Sequence, residues 1–161
     1  NNVLYESSQF TLTVDTVEDE ILNRPKSWDI NFIKKFMYVF GGISSIFDFI
    51  TFYLLYKIFM LTESSFQTGW FIQSFATQIL VIFVIRTHKN VFKSTLPNPI
   101  VITVSFITVA IAWGIALSTI GSLFGFTPIP LTYVAIIIVV VLIYLVTVEI
   151  AKKYFYKIYK L

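Results

Sequence analysis

Four long apolar runs, joined by short polar segments, limit most strongly what this chain can fold into. They occupy residues 32–60, 68–86, 100–120 and 131–151. Each is close to the roughly 20 residues that a helix needs to cross the hydrocarbon core of a bilayer. In lipid an open strand would leave backbone hydrogen-bonding groups unpaired, so even the β-branched run from Ile136 to Val141 is predicted to be helical. The sequence therefore predicts an all-α, polytopic membrane helix bundle with four full spans.

The composition also favours lipid over water as the surrounding medium. Charged residues form 13% of the 161 residues and hydrophobic residues 57%. A soluble domain usually carries about 25% charged residues, so this chain has too little polar surface to cover a globule in water. The formal net charge of +3 is small, and nucleic acid is not expected as a partner.

Several kinds of chemistry are excluded by residues that the sequence lacks. It contains no Cys and only one His, His88, so thiolate and multi-His metal sites cannot form within it. A Gly-rich phosphate loop and a nucleophile elbow are also missing from the sequence. We therefore expect no nucleotide or acyl-transfer chemistry within these residues.

The segments between the spans predict the topology. Residues 1–13 resemble the end of a membrane helix, and because the chain starts without Met on this pattern, we expect a fragment of a longer protein. The polar connector at 14–31, the basic loop at 87–99 and the tail at 152–161 all fall on one side of the four-span topology. Eleven of the 12 Lys and Arg residues lie on that side, and only Lys57 lies near the other. By the positive-inside rule, that side and the C-terminus are cytoplasmic.

Asn2, Glu6 and Gln9 form one candidate functional group. Their spacing of i, i+4 and i+7 places them on a single helical face. Amide and carboxylate oxygens are hard ligands, which suit Mg²⁺ or Ca²⁺ better than a soft transition metal. The alternative is a wetted helix end, where the Glu6 carboxylate simply reaches water.

Polar residues inside the spans are further candidates. Asp48 lies near the middle of the first span, and an intramembrane acid predicts either a functional site or a hydrogen bond to a hydroxyl on a neighbouring helix. Gln78 lies within the second span and could be a ligand on an ion pathway or a hydrogen-bonding contact between helices. Glu149 precedes Lys152 and Lys153 by three and four residues, which predicts an ion pair at the membrane interface.

Several motifs occur together in one order along the chain. They are N-V-L-Y-E-S-S-Q at 2–9, R-P-K-S-W-D at 24–29, G-G-I-S-S-I-F-D-F-I-T-F at 41–52, F-Q-T-G-W-F at 66–71 and V-I-R-T at 84–87. In this combination the chain resembles the C-terminal membrane region of bacterial magnesium-translocating P-type ATPases. The resemblance covers nearly the whole chain and is densest before residue 90.

The resemblance implies a role for each part of the chain. Residues 1–13 would be the end of the sixth transmembrane helix of the pump, and the four full spans would be the seventh to tenth. Asn2 and Glu6 match an Asn and an Asp that help to bind the transported cation in P-type pumps, and Gln78 is similar in place to a polar position on the eighth helix. Two residues depart from the pattern: Glu6 stands where Asp is usual, and Gly42 where the magnesium subgroup usually has Pro.

The resemblance also implies partners and a setting. Mg²⁺ would be the transported ion, and ATP would bind to cytoplasmic domains that this chain does not contain. The chain would contact the lipid bilayer and the remaining transmembrane helices and cytoplasmic domains of the same pump, in a bacterial plasma membrane. Two hypotheses follow: a fragment that supports the transport core and contributes part of the ion site, or a free-standing four-helix scaffold or interaction subunit without transport.

Overall fold

All regular secondary structure in the described part of the chain is helical. The computed structural model describes Glu6, residues 30–86 and residues 97–159. Its long helices are α1 (Ile30–Tyr53), α2 (Glu63–Ile85), α3 (Pro99–Leu117) and α4 (Leu131–Tyr159). A π-helical segment, Leu54–Ile58, extends α1, and a 3₁₀ helix, Thr119–Phe124, follows α3. Each of the four helices is long and apolar enough to cross a membrane, which confirms the predicted fold class.

The start of α2 differs from the sequence-based expectation. The sequence predicted a span that begins at residue 68, but the helix begins at Glu63. The Thr68 hydroxyl donates a hydrogen bond to the Ser64 carbonyl at 2.9 Å, so this polar side chain is satisfied within the helix. Glu63 also places an acidic group in the first turn, where the helix dipole favours negative charge.

The ends of α3 and α4 differ in the same way. α3 begins as its sequence favours, with Pro99 in the first turn and the Asn98 side chain accepting a hydrogen bond from the Ile100 amide at 2.9 Å. It ends at Leu117 rather than at residue 120, and Gly125 then closes the 3₁₀ helix with a φ of +81°, which favours glycine. α4 continues to Tyr159, beyond the span boundary expected at residue 151.

The glycine pair of α1 does not interrupt that helix. α1 is continuous through Gly41 and Gly42, although paired glycines in a membrane helix often mark a kink or a close helix contact. A Cβ added at either glycine would meet no atom of the described structure within 4 Å. The irregular backbone lies later, in the π-helical segment that follows Tyr53.

The interior of the bundle is built around α2. This helix contacts α1, α3 and α4, and α1 also packs against α4. One apolar cluster joins Leu55, Ile72, Ala76, Ala116, Ile129, Val134, Ile137 and Val141. A second joins Phe40, Phe47, Val84, Val140, Tyr144, Val148 and Phe155. The opposite faces of α1, α3 and α4 carry exposed large apolar side chains, as helices bounded by a nonpolar medium require.

Candidate functional site

The described structure covers only part of the predicted ion-binding set. Glu6 is helical and exposed, whereas Asn2 lies outside the described residues, as does Gln9. Gln78 is half-buried on α2. Among the described residues, no group of three or more His, Cys, Asp or Glu side chains could hold a metal ion.

A line of polar side chains runs along one face of α1. Ser44, Asp48 and Thr51 are spaced at i, i+4 and i+7, and Leu55 continues the same face by one more turn. Thr51 is 1% exposed, while Ser44 and Asp48 are half-buried. This face is therefore turned into the bundle, although it carries polar groups.

Contacts near the end of α1 show which part of α2 it faces. The Leu55 side chain lies against Gly69, where an added Cβ would be 2.8 Å from Leu55 Cδ2. The ring of Phe52 contacts that of Trp70, with centroids 5.5 Å apart. α1 and α2 are consecutive and joined by a short loop, so they run in opposite directions.

Two polar residues of α2 face this line. Gln73 follows Gly69 by one turn and Thr77 by two, so they share the face of α2 that Leu55 contacts. The helices are antiparallel, so positions before Leu55 on α1 correspond to positions after Gly69 on α2. Thr51, four residues before Leu55, is therefore level with Gln73, four residues after Gly69. Asp48, seven residues before Leu55, lies between the levels of Gln73 and Thr77. Gln73 is 1% exposed and Thr77 is 8% exposed.

Tyr144 of α4 contacts the same polar residues from a third helix. The Ser44 and Tyr144 hydroxyls share a hydrogen bond at 2.9 Å, and the rings of Phe47 and Tyr144 pack edge to face at 5.3 Å. Asp48 is close enough to Tyr144 for the two side chains to interact electrostatically. We call these six residues the polar seam: Ser44, Asp48, Thr51, Gln73, Thr77 and Tyr144.

Asp48 was the only member of the polar seam that stood out in the sequence. The hydroxyl and amide residues were not singled out, because hydropathy treats Ser, Thr and Gln in an apolar run as minor exceptions. The signal that could have found them was spacing: polar residues at 44, 48 and 51 on α1, and at 73 and 77 on α2, each repeat at helical intervals.

A buried charge joins the other end of α2 to α4. Lys152 Nζ forms an ion pair with Glu149 Oε2 at 2.8 Å, which confirms the pairing predicted from their spacing. The same ammonium group donates a hydrogen bond to the Val84 carbonyl at 2.8 Å. Lys152 is only 1% exposed, so the pair is buried between helices and is not a surface pair. Val84 lies in the last turn of α2, where unpaired carbonyls and the helix dipole favour a cation.

Hydrogen bonds also fix the opposite end of α2. The backbone amide of Thr127 donates to the Thr68 hydroxyl at 3.0 Å, and the hydroxyls of Ser65 and Thr127 lie 3.2 Å apart. Trp113 Nε1 of α3 donates to the Ile72 carbonyl at 2.9 Å. The loop before α4 and the helix α3 are therefore both attached to α2.

Comparison with known proteins identifies the family of this chain, which the geometry alone does not. The family described as "Cation transporting ATPase, C-terminus" matches residues 1–154. A magnesium-transporting ATPase, P-type 1, of Salmonella typhimurium strain LT2 is 34% identical over 161 residues. The protein of the same name from Escherichia coli K12 is 28% identical over 158 residues.

The coverage of these matches is uneven. The alignments include 97% and 96% of this chain but only 18% of each relative, so the chain spans about a fifth of the length of the proteins it matches. The family match extends over both the described helices and the N-terminal residues that carry Asn2 and Glu6. On this match, the chain belongs to the C-terminal membrane region family of cation-transporting P-type ATPases.

Proposed function

We propose that this chain is the C-terminal membrane part of an ATP-driven pump that moves Mg²⁺ across a bacterial plasma membrane. The observation that carries the proposal is the family match over residues 1–154, with relatives named as magnesium-transporting ATPases. ATP binding and hydrolysis are assigned to other parts of the pump. The expected partners are the lipid bilayer and the remaining membrane helices and cytoplasmic domains of the same pump.

The first task of the chain in this proposal is support. α2 is attached to α3 through Trp113, to α4 through Lys152, and to the loop before α4 through Thr127. Hydrogen bonds and ion pairs inside lipid have little competition from water, so they hold helices in a fixed arrangement. Such a bundle gives the mobile transport helices a stable surface against which to move.

The second task is to contribute ligands to the ion site. Asn2 and Glu6 would present an amide oxygen and a carboxylate on one helical face, which matches the preference of Mg²⁺ for hard oxygen ligands. A carboxylate costs about 2.5–3.5 kcal/mol to place at the centre of a bilayer, and a bound divalent cation would offset that cost. Gln78 of α2 would add a weaker, neutral ligand.

Mg²⁺ uptake by the intact pump tests this assignment. Glu6→Gln removes the charge but keeps the size of the side chain, and we expect it to lower the apparent affinity for Mg²⁺ by about tenfold or more, or 1.4 kcal/mol. Asn2→Ala should weaken uptake in the same direction. Glu63→Gln is the matched control, because Glu63 is an exposed acid in the first turn of α2. Wild-type affinity and rate in both Glu6→Gln and Asn2→Ala would remove these residues from the ion site.

A further inference from the structure

The polar seam contains more hydrogen-bond acceptors than its surroundings satisfy. A hydroxyl has one proton, and Thr51 Oγ1 donates its proton to the Phe47 carbonyl at 2.9 Å. Thr77 Oγ1 shares its proton between the carbonyls of Gln73 and Ser74, at 3.2 and 3.0 Å. Both hydroxyl oxygens therefore offer only lone pairs to the seam.

Gln73 adds a buried oxygen to this set. Its Oε1 atom is inaccessible to solvent and has no hydrogen-bond partner among the described residues. Leaving a buried acceptor unsatisfied costs about 1–3 kcal/mol, and native structures contain few such groups. Because Gln73 lies level with Thr51 and within one turn of Thr77, its unsatisfied oxygen stands near two hydroxyl oxygens to which no described residue donates a hydrogen bond.

Asp48 brings a negative charge to the same place. An ionised carboxylate only accepts hydrogen bonds, and no salt bridge to Asp48 occurs in the described part of the chain. The described basic residues of α1 and of the π-helical segment that extends it, Lys34, Lys35 and Lys57, are all more than two helical turns away from Asp48 along the chain. The seam is therefore rich in oxygen and carries one formal negative charge without a positive side chain beside it.

We propose that the polar seam is a binding site for a monovalent cation, held by the Asp48 carboxylate and the oxygens of Gln73, Thr51 and Thr77. One positive charge neutralises one carboxylate, whereas Mg²⁺ would leave an excess charge within the membrane. Mg²⁺ also demands near-octahedral geometry and gives up its water ligands reluctantly, which a set of largely buried neutral oxygens does not accommodate. Asp48 is only half-buried, so it lies at the more open side of the seam among the described helices.

This site uses different residues from the one assigned to the transported ion. It uses Asp48, Thr51, Gln73 and Thr77, whereas the transported ion is assigned to Asn2, Glu6 and, more weakly, Gln78. A bound monovalent cation would also link α1 to α2, since no hydrogen bond in the described structure joins the seam residues of these two helices directly. The inference holds whether or not Asn2 and Glu6 prove to be ligands.

Equilibrium binding of radiolabelled sodium and rubidium to the purified intact pump tests the proposal. We expect one ion of either kind to bind per pump, and Asp48→Asn to abolish that binding. Gln73→Leu and Thr77→Val each remove one neutral oxygen and should weaken binding by about tenfold. Size-exclusion profiles and thermal unfolding establish that each variant is folded.

The control is another buried threonine with the same local geometry. Thr108 of α3 is 8% exposed, like Thr77, and its hydroxyl donates to the carbonyl four residues earlier, Val104, at 2.7 Å. Thr108→Val removes this hydroxyl outside the seam and should leave binding unchanged. Absence of sodium and rubidium binding to the wild-type pump would overturn the proposal and leave water as the occupant. Full binding by folded Gln73→Leu and Thr77→Val variants would overturn it equally.

Discussion

At the scale of single residues, the Lys152 ammonium group is a charge buried between helices. It pairs with Glu149 and donates to the Val84 carbonyl, both at 2.8 Å. Removing a charge from water costs several kcal/mol, which the ion pair and the hydrogen bond must offset. The sequence predicted the pair from its spacing but not its burial, because the Val84 carbonyl lies 68 residues earlier in the chain.

Lys152→Met should destabilise the intact protein by about 3 kcal/mol, because it removes the buried cation that pairs with Glu149 and donates to the Val84 carbonyl at the end of α2. Thermal unfolding measures the change, and Lys153→Met is the control, since Lys153 is the exposed neighbour. Adding Glu149→Leu to Lys152→Met should recover part of the loss, because it also removes the carboxylate that Lys152 neutralises. Equal effects of Lys152→Met and Lys153→Met would contradict the assignment.

At the scale of helices, Gly69 determines how closely α1 and α2 approach. The Leu55 side chain fills the space that a Cβ at Gly69 would take, at 2.8 Å. Close packing over small residues is a general means of helix association in lipid, where water supplies no hydrophobic driving force between helices. The same contact sets the levels at which Thr51 and Gln73 face each other.

Gly69→Val should destabilise the bundle by about 1–3 kcal/mol through overpacking against Leu55. Leu55→Ala in the same chain should relieve the clash, so the two substitutions together should cost less than their sum. Unfolding in a denaturant series measures both terms. Gly114→Val is the matched control, because a Cβ at Gly114 meets no described atom within 4 Å. Additive effects at positions 55 and 69 would contradict the contact.

At the scale of the whole molecule, the distribution of basic residues predicts an orientation that the fold leaves open. α1 to α4 alternate in direction, so the turn Thr119–Phe124 and the end of α4 lie on opposite sides of the bundle. The sequence places the end of α4 in the cytoplasm, because Lys and Arg collect on that side. Neither packing nor hydrogen bonding among the described helices distinguishes the two orientations.

Single cysteines can determine this orientation, because the chain contains none of its own. Leu123→Cys lies in the exposed turn after α3, and Lys157→Cys lies on an exposed position of α4. In intact cells a membrane-impermeant maleimide should label the first and should label the second only after the cells are permeabilised. The unsubstituted pump is the control for labelling elsewhere. The reverse pattern would contradict the cytoplasmic C-terminus.

Hydropathy predicted the four spans because lipid requires nearly every outward side chain of a membrane helix to be apolar. It could not predict which face of each helix points inward, and so it missed Gln73 and the seam around it. The first turns of α2 were missed for a related reason: Thr68 appears polar in sequence, but its hydroxyl donates to the Ser64 carbonyl within its own helix. Asn2 and Glu6 came from spacing and family resemblance, and their role stays a prediction.

The attachments at the two ends of α2 have a mechanical consequence. Thr127 holds the loop before α4 to the first turns of α2, and Lys152 holds the last turns of both helices together. Because contacts hold α2 and α4 together at both ends, the two helices can tilt together, but one cannot slide along the other. Any axial displacement during a transport cycle would therefore have to be absorbed elsewhere. The π-helical segment Leu54–Ile58, at the end of α1, lies outside this doubly attached pair.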